Sequence, residues 1–396
     1  MHAKYLLFIT LAFCSLIGDG LAMFALTLAA ADELGSWGVS ALFLAGLIPP
    51  IVAAPWLGRW VDGQRVRGLW LATLLCHALV FTLMAALDSI WVSLAGMCVA
   101  SICAVFSSSA VFKLIPEIRG SFSLARASSL LVAAGSLAGI LSPAVAALGY
   151  DLWGLRPLLL VNAGSFLFFA VVAWFLLRSQ SAAYNSDVPE PFTGLRGARV
   201  LTSNGTLRIL LVPIAAVVFF TSTEAVSGVF YLRAISPNDT VYGLVLGLWS
   251  VGAVLGSLNA GGNFLGQRVS LPVLLGAGLI GAAITIEGLW PNAVAIGAAF
   301  LIGGFGNGMH NLGLRNAIYR LVPQKQHGAA WAHVTMLINS MVALGYLAGT
   351  PGFLIDSERL IVTLSGVCTL AAVLGALAFV LRNARRTARS KSVVTA

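Results

Sequence analysis

Acids are scarce in this chain, and two of them stand where water is scarcest. Asp19 and Glu224 each lie near the middle of a long apolar window, 5–31 and 209–232, and each is the only charge in it. An acid at the centre of a bilayer costs about 2.5–3.5 kcal/mol on the insertion scale, so intramembrane acids are retained for a purpose. A carboxyl group protonated on one membrane face and ionised on the other can couple a proton gradient to the movement of a solute. Both residues are therefore proton-coupling candidates. The other reading for each is structural, an acid hydrogen-bonded to a neighbouring helix. Thr221, Ser222, Thr223 and Ser227 surround Glu224 in sequence, and Ser15 stands one turn from Asp19.

A second group of polar residues follows a helical spacing. Asn307, His310, Asn311 and Arg315 stand at i, i+3, i+4 and i+8, which puts them on one helix face. Such a face is too polar for lipid and is expected to point into protein or a water-filled cavity. His310 is a candidate for substrate binding or proton relay, with Asn307 and Asn311 beside it, whereas Arg315 reads as a snorkelling cation or the partner of an acid. Trp249 lies deep in its own window. Its ring can face an amphipathic or cationic ligand or fill the core. Ser227 joins these as a substrate-cavity candidate. His77 reads as a satisfied core residue.

The elements that must carry these residues are legible from composition. Of 396 residues, 59% are hydrophobic and only 9% charged, against about 45–50% and 25% in soluble domains. That apolar stock matches roughly twelve spans of about 20 residues each. Ten charge-free windows, at 34–58, 68–87, 89–112, 127–150, 157–177, 240–267, 269–286, 288–314, 326–355 and 360–381, join the two that hold Asp19 and Glu224. The windows are continuous rather than alternating, which predicts helices and not a barrel. The first exceeds the apolar run of a signal peptide and has an acid in its middle, so it reads as a span.

With both termini placed in the cytoplasm, twenty Lys and Arg fall inside and only Arg156, Arg233 and Arg359 fall outside. That is a positive-inside distribution. Asp32, Glu33, Asp88, Asp151, Asp239, Glu287, Asp356 and Glu358 fall on the outer side. The net charge of +9 is thus a matter of topology and implies no nucleic-acid partner. The five cysteines lie within apolar windows and show no disulfide or metal spacing. No HExxH, Gly-x-Ser-x-Gly or P-loop pattern is present. The chain is therefore expected to be no enzyme, with no catalytic residues, cofactor or metal site.

The chain also divides in two. The longest polar stretch, 178–207, separates two runs of similar length, 1–177 and 208–382, and a basic tail occupies 383–396. Val111 to Glu117 resembles Ile318 to Gln324 at an offset of 207, Phe175 to Arg178 resembles Phe379 to Arg382 at an offset of 204, and Asp19 and Glu224 are 205 apart. These near-constant offsets predict a duplicated six-helix unit. The expected fold is an all-α polytopic membrane protein with twelve transmembrane helices in two pseudo-symmetric six-helix bundles.

On these features the chain resembles the major facilitator superfamily. The most specific resemblance is the loop after the second span, Gly58-Arg59-Trp60-Val61-Asp62-Gly63-Gln64-Arg65-Val66-Arg67. Gly58, Asp62, Arg65 and Arg67 fit the family pattern, while Gly63 replaces its usual basic residue. In the family this loop latches the cytoplasmic side, and the N-terminus of the eleventh span near Gly328 would attract Asp62. Ala138, Ser142, Pro143, Ala146 and Ala147 occupy the positions of an exporter-associated pattern in the fifth span, with every glycine replaced by Ala or Ser. Close helix packing explains that pattern equally well. Gly18-Asp19 is similar to a pair found in the drug:proton antiporter branch, with its macrolide and siderophore exporters.

The resemblance implies a secondary active transporter working by alternating access as a monomer. It would lie in the plasma or inner membrane of the cell, with protons, the lipid bilayer and a small-molecule substrate as its partners. Efflux of a small amphipathic compound by proton antiport fits best. Proton-coupled uptake of a small nutrient and a polytopic membrane enzyme are the alternatives.

Overall fold

The computed structural model describes the backbone of residues 2–63, 66–177, 201–202, 204–260 and 270–394. These residues form eleven long helices and one short 3-10 turn, Gln324–Gln326, with no strand among the described residues. In chain order the helices are α1 (His2–Gly63), α2 (Val66–Leu87), α3 (Ile90–Ile118), α4 (Leu124–Trp153), α5 (Leu155–Leu177), α6 (Gly205–Ile235), α7 (Asp239–Ala260), α8 (Leu271–Leu289), α9 (Ala293–Leu321), α10 (His327–Ala348) and α11 (Glu358–Val394).

Helix α1 holds two of the expected spans. Its 62 residues would measure about 93 Å as one rod, three times the roughly 30 Å hydrocarbon core. Gly35 breaks it, with φ 62° and ψ −148°, a conformation that only glycine adopts without strain. The first two spans are therefore joined by one residue rather than by a loop. Among the described residues, ten helices are long and apolar enough to cross a membrane, and His333–Ala348 is a shorter apolar segment. Counting α1 twice makes the set consistent with twelve crossings.

The remaining breaks have local causes. Asp88 adopts φ 45° between α2 and α3, and Gly154 at φ 74° closes α4. Asn204 accepts hydrogen bonds from the amides of Thr206 and Leu207, and Asn292 accepts from Val294 and Ala295. These side chains satisfy orphan amides at the starts of α6 and α9.

The chain forms two compact units. One comprises 1–190 and 238–247, the other 191–237 and 248–396. In the first unit Tyr5, Phe8, Trp70, Leu74, Phe81, Met84, Phe166 and Phe169 form a buried aromatic core, and the Tyr5 hydroxyl donates to Ala127 O at 2.7 Å. In the second unit Leu207, Leu210, Ile214, Val273, Leu314 and Ile318 pack at one level, and Val217, Tyr231, Ile280, Ile284 and Val362 at another. Leu152, Leu258, Val294 and Leu374 are exposed, as lipid-facing residues are. Lipid tails are as apolar as these side chains, so helix association rests on close packing instead. The clearest case lies between α7 and α9, where Cβ atoms on Gly252, Gly256, Gly304 or Gly308 would each strike the facing backbone.

Candidate functional site

Asp19 stands on α1 facing α5. It accepts a hydrogen bond from Asn162 Nδ2 at 3.1 Å, and Asn162 is fully buried. Gly18 makes that approach possible. A Cβ there would lie 2.5 Å from Asn162 Oδ1, 3.1 Å from Ser165 Oγ and 3.3 Å from Asn162 Cα. The glycine before the acid is thus a packing requirement of the acid's own hydrogen-bond partner.

Asp19 also lines a cavity of about 270 Å³ inside the first unit, whose walls include Phe8, Ser15, Trp70, Ser107, Phe166 and Phe169. Trp70 and Phe169 meet edge to face at 5.2 Å, and Trp70 Nε1 donates to Ser107 Oγ at 3.1 Å. His77 reaches the same cavity. Its Nδ1 lies 2.8 Å from Thr73 O, and its ring stacks on Phe166 at 4.4 Å. Neither Lys nor Arg is among the described lining residues. A carboxyl group set among aromatic faces is chemically suited to a cation with apolar surface.

Glu224 is buried on α6, and its neighbour is another acid. A Cβ on Gly228 would collide with Glu224 Oε1 and lie 3.5 Å from Glu287 Oε1 on α8. The two carboxyl groups therefore flank the space of one missing side chain. Glu287 is 0% exposed, and neither of its oxygens has a hydrogen-bond partner. The sequence puts Glu287 toward the outer side of its span, and the structure adds that its side chain is buried against α6. It sits two residues from the end of α8, but it turns inward.

The other candidates are scattered. Ser227 is fully buried and donates to Gly349 O at 2.6 Å, joining α6 to α10. Trp249 packs on Phe300 edge to face at 5.5 Å and covers Gly303. His310 is buried against α8 with Nδ1 3.0 Å from Val273 O, and its Nε2 has no partner. Asn307 and Asn311 bond to each other at 3.0 Å, and Asn311 and Arg315 lie on an exposed face of α9. The Arg315 guanidinium stands 5.3 Å above the Trp331 ring. The structure thus separates His310 from the asparagines with which its spacing grouped it.

In α4, Ala138, Ser142, Ala146 and Ala147 are buried and Pro143 lies within the helix. A Cβ on Gly20 of α1 would collide with Ser142 Oγ, and one on Gly243 of α7 would meet Pro143 O and Ala147. Of the loop motif, Arg67 pairs with Glu117 at 2.7 Å. Arg65 lies outside the described residues, as do the side chains of Gly58 and Asp62.

Comparison with known proteins fixes the family. No curated protein sequence matches the chain. Among solved structures, it is similar to a point mutant of the nucleoside transporter NupG, with a TM-score of 0.77 at 12% identity over 95% of this chain and 99% of that one. It is similar to a bacterial homologue of the iron transporter ferroportin in an inward-facing state, with a TM-score of 0.75 at 14% identity over 95% and 98%. The POT family transporter PepTSo gives 0.74 at 11% identity over 96% and 98%. Identities this low show a shared fold. Residues 8–350 match the sequence profile of the Major Facilitator Superfamily, and the chain belongs to that family, as a transporter rather than an enzyme.

Proposed function

We propose that this transporter exports a small amphipathic cation in exchange for protons, by alternating access. The observation that carries this reading is the Asp19 cavity. It combines one carboxyl group, several aromatic faces and a few hydroxyls, with neither Lys nor Arg among the described residues that line it. A sugar or phosphate needs a denser polar or cationic lining. A volume of about 270 Å³ lies near the small end of ligand sites, which suits a compact solute. When the cation enters, its charge replaces the proton on Asp19, so one positive charge exchanges for another at the same carboxyl group. The outward direction rests on the resemblance carried by Gly18-Asp19 and by the small residues of α4.

On this reading the two bundles are 1–177 and 208–382, joined by the cytoplasmic segment 178–207 and followed by the tail 383–396. Both termini face the cytoplasm, the membrane is the cell membrane, and the protein acts as a monomer.

Equilibrium binding tests the site directly. Purified wild type should bind ethidium, a flat aromatic cation. Asp19→Asn should weaken binding roughly tenfold or more, about 1.4 kcal/mol. An anionic dye of similar size should not compete. Equal affinity in Asp19→Asn, or equal competition by the anion, would refute the reading.

A further inference from the structure

The acids of the second unit differ from Asp19 in kind. Asp19 has a hydrogen-bond donor and a cavity. Glu287 has neither a donor nor exposure, and the group that faces it across Gly228 is Glu224. Two carboxylates this close in a dry site repel each other, and burying two uncompensated charges is costly. A proton between them removes the repulsion and halves the buried charge, because one carboxyl group then donates to the other.

The surroundings offer no substitute for that proton. The charged or titratable groups that the packed helices bring to this end of the unit are Tyr231 and Arg233 on α6, Tyr346 on α10, Asp356 before α11, and Glu358 and Arg359 in its first turn. The Tyr231 hydroxyl donates to Gly288 O at 3.2 Å. The Arg359 guanidinium donates to Gly288 O at 2.9 Å and Leu289 O at 3.3 Å, so it stands beside the pair without forming an ion pair with either acid. Residues 293–309 of α9 carry no titratable group. His310 is held at Val273, near the other end of α8.

We propose that Glu224 and Glu287 form a single proton-binding site in the second unit, holding one proton between the two carboxyl groups. The site then carries one negative charge, with the Arg359 guanidinium on the carbonyl of the next residue, Gly288. Gly228 leaves free the space between the two carboxyl groups that a side chain would fill. The inference deepens the proton-coupled reading and rests on it for its purpose. The proton is taken from water on one membrane face and returned to water on the other, while Asp19 meets the solute in the other unit. The two acids at matching positions thus have different partners, Asn162 for Asp19 and a second acid for Glu224.

Infrared spectroscopy of the purified protein at neutral pH tests the pair without a substrate. Difference spectra between wild type and each variant isolate the carbonyl stretch of a protonated carboxylic acid. If one proton is shared, Glu224→Gln and Glu287→Gln should each remove the whole band. The glutamine amide then donates to the remaining carboxylate, and the double variant should add nothing further. Half the band lost in each single variant would show two independent acids and overturn the proposal. No band in wild type would also overturn it. A band that disappears when sodium replaces choline would mark a metal-cation site instead and overturn it likewise.

Gly228→Ala guards against variants that fail to fold. It keeps both acids but puts a methyl group between them, and it should shift the band. An unshifted band in folded Gly228→Ala would contradict the shared geometry. The transport reading fails separately. A shared-proton band in a protein that never exchanges cations for protons would leave the pair standing and remove its coupling role.

Discussion

Replacing Gly18 by alanine is the smallest change that should disturb the Asp19 site without touching a polar atom. The new methyl group would lie 2.5 Å from Asn162 Oδ1 and 3.3 Å from Asn162 Cα. The amide oxygen can rotate away, but the backbone atom moves only if α1 and α5 separate. Overpacking of this kind costs about 1–3 kcal/mol. Rotation of the amide also breaks its bond to Asp19, worth about 0.5–1.5 kcal/mol if the acid is neutral and about 1.5–3 if it is charged. Alanine returns about 1 kcal/mol through helix propensity. The net loss is on the order of 0.5–5 kcal/mol. Gly139→Ala on α4 is the control, since nothing lies within 4 Å of its Cβ position. Adding Asn162→Ala to Gly18→Ala should restore part of the loss, because it removes the Oδ1 collision and leaves the backbone contact. Thermal unfolding in mild detergent and ethidium binding read both effects. Gly18→Ala that melts with wild type and binds the dye equally well would refute the argument.

Further outcomes follow from single contacts. Ser227→Ala removes the buried donor to Gly349 O and should cost about 1–3 kcal/mol in unfolding measurements, with solute binding unchanged. Gly256→Leu or Gly304→Leu forces α7 from α9, because each Cβ position meets facing backbone, and should abolish recovery of monodisperse protein in size-exclusion chromatography. Trp70→Phe keeps a ring in the cavity wall but loses the bond to Ser107, and should lower ethidium affinity less than Asp19→Asn does. Arg67→Ala leaves Glu117 without its partner. The pair is partly exposed, so the expected loss of stability is about 0–1 kcal/mol.

Composition and charge spacing made the helical membrane fold legible because each crossing needs its own apolar run. What they could not resolve was azimuth. Glu287 ends an apolar window, and position alone says at which end of the span it lies but not whether its side chain is buried. Its direction around α8 turns it inward, and only the facing acid on α6 reveals that. His310 fails for a related reason. At about 100° per residue it lies about 60° to one side of Asn307, while Asn311 lies about 40° to the other, and the edge between buried and exposed surface falls within that arc. Gly35 was hidden because one glycine does the work of a loop beside the acids Asp32 and Glu33. Asp19 and Glu224 were visible as unusual residues at matching positions. Their partners, Asn162 and Glu287, come from helices with no positional match, so the duplication gave no warning that the two sites differ. The Asp19 cavity is not legible in sequence, since Phe166 and Phe169 read there as ordinary apolar residues and Trp70, which is buried, as an interfacial one.

The most direct test of the account is proton movement driven by solute. Purified transporter is reconstituted into liposomes holding a trapped pH dye, and an outward or inward gradient of ethidium is imposed with no other ion gradient. The account predicts that ethidium flowing one way drives protons the other way, and that Asp19→Asn abolishes both fluxes while the protein remains folded and inserted. Protons that move in the same direction as the solute would establish symport and contradict the exchange. Ethidium flux with no proton movement, or an undiminished exchange in Asp19→Asn, would remove Asp19 from the centre of the mechanism.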